Sequence, residues 1–132
     1  MLPLAAIATP NQFEAELLSG IAIGADGGGA AAACDALHAL GPRTVVVKVD
    51  GGGPPGTLAV YCSTPRRCVA DSPLWAGEGA GGAAGAGDDG DSRARFVVTF
   101  PALPGVFHGT GDLMAALILA CVGRAAAVAL WV

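Results

Sequence analysis

The spacing of apolar positions changes several times along the chain, and each change marks an element. Leu4 to Ala8 is a short apolar run, as a buried strand shows. Thr9-Pro10-Asn11-Gln12 then carries helix-start signals: Thr9 as cap, Pro10 at the first helical position, and Gln12 completing a capping box. Phe13 and Leu17 fall one turn apart on one face, and Gly20 supplies a stop. After the turn at Gly27 to Gly29, a second helix is predicted to about Leu40, with Ala33, Leu37 and Leu40 on one face and Gly41-Pro42 as its end. His38 falls on this helix and is expected at the surface.

Thr44 to Val49 is β-branched and nearly continuously apolar, the pattern of a central strand covered on both faces. Leu58 to Cys62 is the next strand candidate, beyond the turn-rich Asp50 to Gly56, and Phe96 to Phe100 is another. Between them, residues 76–91 are almost entirely Gly, Ala and Asp, without periodicity or bulk, and are expected to form a flexible insertion. Gly109 to Asp112 opens a last long helix. Strands alternating with helices predict an α/β layer architecture with a mostly parallel sheet.

Composition narrows this. In 132 residues, 53% hydrophobic and 14% charged positions argue for a folded chain of one domain or part of one, whereas 21 Gly and 9 Pro imply long irregular stretches. Aromatics at 5% leave a core of mostly Ala, Val and Leu, which bury little area each. A net charge of -4 lacks the basic footprint of a nucleic-acid partner. Cys34, Cys62, Cys68 and Cys121 form no CxxC pair and no zinc spacing, and read as reduced thiols. Leu113 to Val132 approaches the roughly 20 residues that span a bilayer, but Arg124 falls near its middle, where a charge is costly. A buried Ala-rich helix is the expectation, with no membrane partner.

Two constellations carry chemistry. Gly109-Thr110-Gly111-Asp112 joins an extended segment to a helix through two glycines that let backbone N–H groups approach an anion. Asp112 in the first turn is favoured as a carboxylate by the helix dipole and is placed to accept a proton, which suits phosphoryl transfer to an alcohol. The same four residues also make an ordinary turn and helix cap. Asn11 and Glu14, three apart at a helix start, can face one ligand or a hydrated Mg²⁺, which takes only one or two protein carboxylates and keeps several waters. A polar first turn favoured by the macrodipole is the alternative.

The stretch from Thr9 to Gly20, TPNQFEAELLSG, closely resembles the corresponding stretch of pyridoxal kinases, and Gly109-Thr110-Gly111-Asp112-Leu113 followed by Ala115-Ala116 resembles that family's active-site signature. Their order, with Gly41-Pro42 before the Val45 to Val47 strand, matches too. The resemblance implies a ribokinase-like fold, present here as a C-terminal half over residues 1–132 that bears the ATP-binding and catalytic-base functions. It implies ATP-dependent phosphorylation of the 5′-hydroxymethyl group of pyridoxal, pyridoxine or pyridoxamine in vitamin B6 salvage. Asp112 would be the base, and Gly109, Thr110 and Gly111 would hold the transferring phosphate. Thr9, Asn11 and Glu14 would organise ATP and Mg²⁺, with Glu14 reaching the metal through water. Lys48, where the family commonly has a small hydroxyl residue, and Phe107 are further candidates for nucleotide contact. K⁺ as an additional ion, a homodimer and a cytosolic location go with the family.

His108 reads as a packing residue, and Arg66 and Arg67 fall where the family is also basic. A catalytically inactive nucleotide-binding fragment and another ribokinase-like kinase, such as one for hydroxymethylpyrimidine, are the competing readings. Ala between the glycines is commoner in sugar kinases, and Cys at the Asp112 position is common in hydroxymethylpyrimidine kinases; Thr110 and Asp112 together favour pyridoxal kinase.

Overall fold

The computed structural model describes residues 2–65, 93–105 and 109–129. They fall into two compact units, one ending at Ala102 and the other beginning at Leu103. The Gly/Ala/Asp-rich stretch at 76–91, Arg66, Arg67, Phe107 and His108 lie outside the described residues.

The first unit runs from a 3-10 turn at Leu2–Leu4 through β1 (Ile7–Ala8), α1 (Gln12–Ser19), α2 (Ala30–Ala39), β2 (Thr44–Asp50), β3 (Thr57–Pro65) and β4 (Arg93–Pro101). The four strands form one sheet in sequence order. β1 pairs β2 in parallel, but β2 with β3 and β3 with β4 are antiparallel. The sheet is therefore mixed, and the expected mostly parallel arrangement holds only for β1 and β2. The reason lies in the connections: a parallel return needs a crossover of a dozen or more residues, which α1 and α2 provide between β1 and β2. The turn at 51–56 leaves β3 no choice but to fold back beside β2.

Alternation along β2 sends Val45, Val47 and Val49 to the helical side, where they pack with Ala15, Ile23, Ala30, Ala33, Cys34 and Leu37. Small side chains dominate this layer, as composition indicated, so α1 and α2 approach the sheet closely while each contact buries little area. Val46, on the other face, is also buried, and β2 is the central strand that its residues predicted.

Two expectations about the helices fail. Leu40, grouped with the buried face of α2, is partly exposed because the helix ends at Ala39. His38 is not at the surface but only 8% exposed. Its Nδ1 bonds the Pro42 carbonyl at 2.8 Å and its Nε2 bonds Ser63 Oγ at 2.9 Å. With the Pro42 oxygen able only to accept, Nδ1 carries the proton and Nε2 accepts from the Ser63 hydroxyl. A buried imidazole is tolerated here because both ring nitrogens are satisfied.

The second unit is a short segment leading into α3 (Thr110–Ala129). Leu113, Leu117 and Leu119 are exposed rather than buried as expected. Within residues 103–132 the described structure offers no second element to bury them. Among the described residues no helix is long and apolar enough to cross a membrane.

Candidate active site

The helix start is displaced from where the local signals put it. Asn11, not Thr9, is the N-cap of α1, with φ -76° and ψ 174°, and Glu14, not Gln12, completes the capping box. Tertiary pairing decides this. The Pro10 carbonyl accepts the Lys48 N–H at 3.1 Å, and Asn11 lies opposite Lys48 in a parallel bridge that continues the register of Ile7 with Thr44 and Ala8 with Val45. Pro10 is thereby kept extended beside β2, and helical geometry begins only after Asn11.

Within the box, Asn11 Oδ1 accepts the Glu14 N–H at 2.8 Å and Glu14 Oε2 accepts the Asn11 N–H at 2.9 Å. Both side chains are exposed, and among the described residues Glu14 Oε1 has no hydrogen-bond partner. A carboxylate held at one oxygen and open at the other is suited to a hydrated Mg²⁺, which needs few protein ligands. Among the described residues no group of three His, Cys, Asp or Glu could hold a metal by itself, so such an ion would have to take most of its ligands from water and substrate phosphates. Thr9 precedes the cap and is half-buried, and Lys48 is half-buried on β2. The backbone pairing thus brings Asn11 and Lys48 side by side, with Thr9 and Glu14 within one turn.

The second cluster lies in the other unit. Gly109 has φ +76°, a left-handed value that L side chains rarely adopt, and its carbonyl accepts the Leu113 N–H at 3.0 Å to start α3. Thr110 and Asp112 are exposed and Gly111 half-buried. Asp112 occupies the first turn of a 20-residue helix, near the positive end of its dipole. The described geometry is that of an open helix N-terminus with a carboxylate beside it, as the sequence predicted.

Gln12, read from sequence as the capping-box residue, and Glu16, assigned no role from sequence, fix the site from behind. Gln12 Nε2 donates to the Ile23 carbonyl at 2.7 Å and Gln12 Oε1 accepts the Asp50 N–H at 3.3 Å. Glu16 Oε1 accepts the Ile23 N–H at 2.8 Å. Together they tie the loop after α1 and the end of β2 to the helix that carries Asn11 and Glu14. Their spacing by four residues was visible in the sequence, but their partners come from remote segments. That loop is also fitted against β3: a side chain at Gly27 (φ +80°) would collide with the Tyr61 hydroxyl.

No protein-family model matches the chain. Pyridoxal kinase of Homo sapiens is 39% identical over 123 residues, which are 91% of this chain and 33% of that one. Pyridoxal kinase of Arabidopsis thaliana is 34% identical over 119 residues, 90% of this chain and 31% of the relative. The crystal structure of pyridoxal kinase from Trypanosoma brucei superposes with a TM-score of 0.65 at 30% identity, covering 90% of this chain and 34% of that chain. Pyridoxal kinase from Leishmania donovani in complex with ADP and pyridoxamine gives 0.64 at 28% identity, covering 87% and 32%.

The fold is that of a partial ribokinase-like domain, a mixed sheet flanked by helices, as in those kinases. The chain is similar to pyridoxal kinases over nine-tenths of its own length. It spans about a third of the length of the curated relatives it matches, less than the half that the motif resemblance implied.

Proposed function

We propose that this chain is the ATP-handling and base-bearing part, the C-terminal part, of a pyridoxal kinase acting in vitamin B6 salvage. The observation that carries this is the likeness over 91% of the chain, with both chemistry-bearing motifs at the starts of helices. In this reading Asp112 takes the proton from the 5′-hydroxymethyl group of pyridoxal, pyridoxine or pyridoxamine as its oxygen attacks the γ-phosphorus of ATP. The bond to the β-phosphate oxygen breaks and ADP leaves. The N–H groups of Gly109, Thr110 and Gly111 receive the charge of the transferring phosphoryl group, a task in which positioning and electrostatics dominate.

Asn11 and Glu14 would hold Mg²⁺, Glu14 through water at its open Oε1, with Thr9 close by; the ion neutralises phosphate charge when bound. Lys48 and Phe107 are assigned as nucleotide contacts. A cytosolic location, a K⁺ ion and a homodimer belong to the same reading. That pyridoxal kinase of Leishmania donovani is solved with ADP together with pyridoxamine, and separately with pyridoxine, supports a nucleotide and a B6 vitamer as the ligands.

The test places this chain in the Trypanosoma brucei pyridoxal kinase in exchange for the matched third, and offers the chimera ATP with pyridoxal, pyridoxine, pyridoxamine or hydroxymethylpyrimidine. Phosphorylation of the B6 vitamers is expected. Phosphorylation of hydroxymethylpyrimidine alone would transfer the assignment to another ribokinase-like kinase, and ATP binding without turnover on any of them would leave only a nucleotide-binding module.

A further inference from the structure

The parallel pairing of β1 with β2 carries on past the end of β1. Ile7 lies opposite Thr44 and Ala8 opposite Val45, and the bridge of Asn11 to Lys48 keeps the same offset. Side chains two apart along extended backbone share a face, and so do partners across a ladder. Val45, Val47 and Val49 occupy the helical side of β2, so Lys48 belongs to the other side, with Asn11 across the bridge and Thr9 two residues before it. Val46 precedes Lys48 on this face and Val60 lies opposite it on β3. The half-buried lysine is thus flanked by valines, which suit its aliphatic stem and offer nothing to its charge.

Three donors collect here without acceptors. Among the described residues the Lys48 side chain makes no hydrogen bond and no ion pair, whereas Arg95 pairs with Asp35. Neither Glu14 nor Asp50 pairs with it. The Asn11 side chain uses its oxygen on the Glu14 N–H, and among the described residues its amide N–H groups and the Thr9 hydroxyl are unengaged. A half-buried ammonium with three donors and no partner gains most from an anion brought to it. The place fits a ligand as well, being the carboxyl end of a parallel strand pair, where open α/β sheets bind theirs.

Glu14 makes the charge of Lys48 consequential. Its Oε1 is open and suits a hydrated Mg²⁺, but without that ion the carboxylate repels an arriving phosphate. A fixed ammonium beside Asn11 offsets the repulsion. Two cation positions then serve one phosphate tail, one filled from solution and one built into β2.

We propose that Lys48 is a built-in cation for the phosphate tail of a nucleoside polyphosphate, with the Asn11 amide and the Thr9 hydroxyl as fellow donors, and that it holds the tail in the absence of Mg²⁺. The nucleoside, though not the phosphate, rests on the kinase reading above.

The test measures calorimetric binding to the Trypanosoma brucei chimera carrying this chain, with ATP and with inorganic tripolyphosphate, each in excess chelator and each with Mg²⁺. Lys48→Met keeps the length and the apolar stem and removes the charge. It is expected to weaken metal-free binding of both ligands by about tenfold or more, as the loss of one charge-assisted hydrogen bond would, and binding with Mg²⁺ by no more than about threefold. Both conditions share one folded fraction, so the ratio of affinities reports the site and not the stability of the variant. Lys48→Arg is expected to recover most of the loss. Glu14→Gln, which removes the opposing charge, is expected to move metal-free binding the other way, toward tighter association. Arg43→Met removes the same unit of net charge at an exposed position before the opposite end of β2 and is expected to change neither affinity.

Equal loss with and without Mg²⁺, no loss in either, or no polyphosphate binding by the unaltered chimera overturns the proposal. A fall matched by Arg43→Met overturns it too, because net charge and not position is then responsible. Phosphorylation of pyridoxal is read separately. Lys48-dependent binding of tripolyphosphate without turnover upholds the proposal and contradicts the kinase reading, whereas turnover with metal-free binding unchanged by Lys48→Met upholds the kinase reading and overturns the proposal.

Discussion

Asn11 and Glu14 each accept the other's backbone N–H, at 2.8 and 2.9 Å, so the two residues that the sequence nominates for metal and phosphate are also the lock of the α1 N-terminus. The two roles separate by substitution. Asn11→Ala removes the cap and is expected to cost about 1 kcal/mol in urea unfolding. Glu14→Gln keeps an oxygen for the Asn11 N–H and is expected to change stability by only a few tenths of a kcal/mol, while weakening calorimetric binding of Mg·ATP by about tenfold. Unchanged binding in Glu14→Gln would reduce the pair to a structural cap.

The buried His38 depends on a partner in another strand. Ser63→Ala leaves Nε2 of His38 without its donor and is expected to destabilise the chain by about 1–3 kcal/mol, read as a lower urea midpoint at unchanged slope. Ser63→Thr, which keeps a hydroxyl, is expected to recover part of that loss; recovery by Ser63→Val instead would show that volume and not the hydrogen bond matters.

At Gly27 the chain combines a positive φ with a close approach to Tyr61. Gly27→Ala is expected to lower the thermal midpoint by several degrees, from roughly 1–2 kcal/mol of strain and displaced packing. Pairing it with Tyr61→Phe, which removes the hydroxyl it would strike, is expected to restore part of the loss, because neighbouring substitutions couple.

Burial pushes the Cys34 thiol up to about 11, with Asp35 adding to the rise and Arg95 opposing it. Burial, with Cys34 beside it, pushes Cys62 up to about 12. In the unfolded chain both ionise near the ordinary value of 9, so as pH climbs past 9 the unfolded state releases protons that the folded state retains. The stability these thiols contribute is therefore complete below pH 9 and declines between 9 and about 12. Disulfide-exchange labelling near neutral pH, mapped by mass spectrometry, is expected to modify the exposed Cys121 quickly, the half-buried Cys62 more slowly and the buried Cys34 only on unfolding. Fast labelling of Cys34 in the folded chain would contradict its buried environment.

What was legible from sequence followed from local patterns. The run from Thr44 to Val49 had to be a buried strand, because β-branched residues without polar alternation fit little else, and Ala33 with Leu37 marked the inner face of α2. The open N-terminus at Gly109 and the carboxylate at Asp112 were legible for the same reason: two glycines and an acid before an apolar run. What was misread depended on partners remote in the chain. The cap moved from Thr9 to Asn11 because Lys48 claims the Pro10 carbonyl. His38 became an interior residue because Ser63 meets it from β3. The sense of the sheet could have been read, since the turn at 51–56 is too short for a crossover. The outward Phe13 and Leu17 could not, because apolar side chains at helical spacing ordinarily mark the inside.

The central claim is that Asp112 serves as the base of a pyridoxal kinase, and the most direct measurement is steady-state turnover of pyridoxal and ATP by the Trypanosoma brucei chimera carrying this chain, with and without Asp112→Asn. The substitution preserves shape and leaves the glycines in place. Turnover by the unaltered chimera that falls about 10²–10⁴-fold in kcat with Asp112→Asn, at an unchanged KM for ATP, is the predicted result. Equal kcat in the two proteins would contradict it.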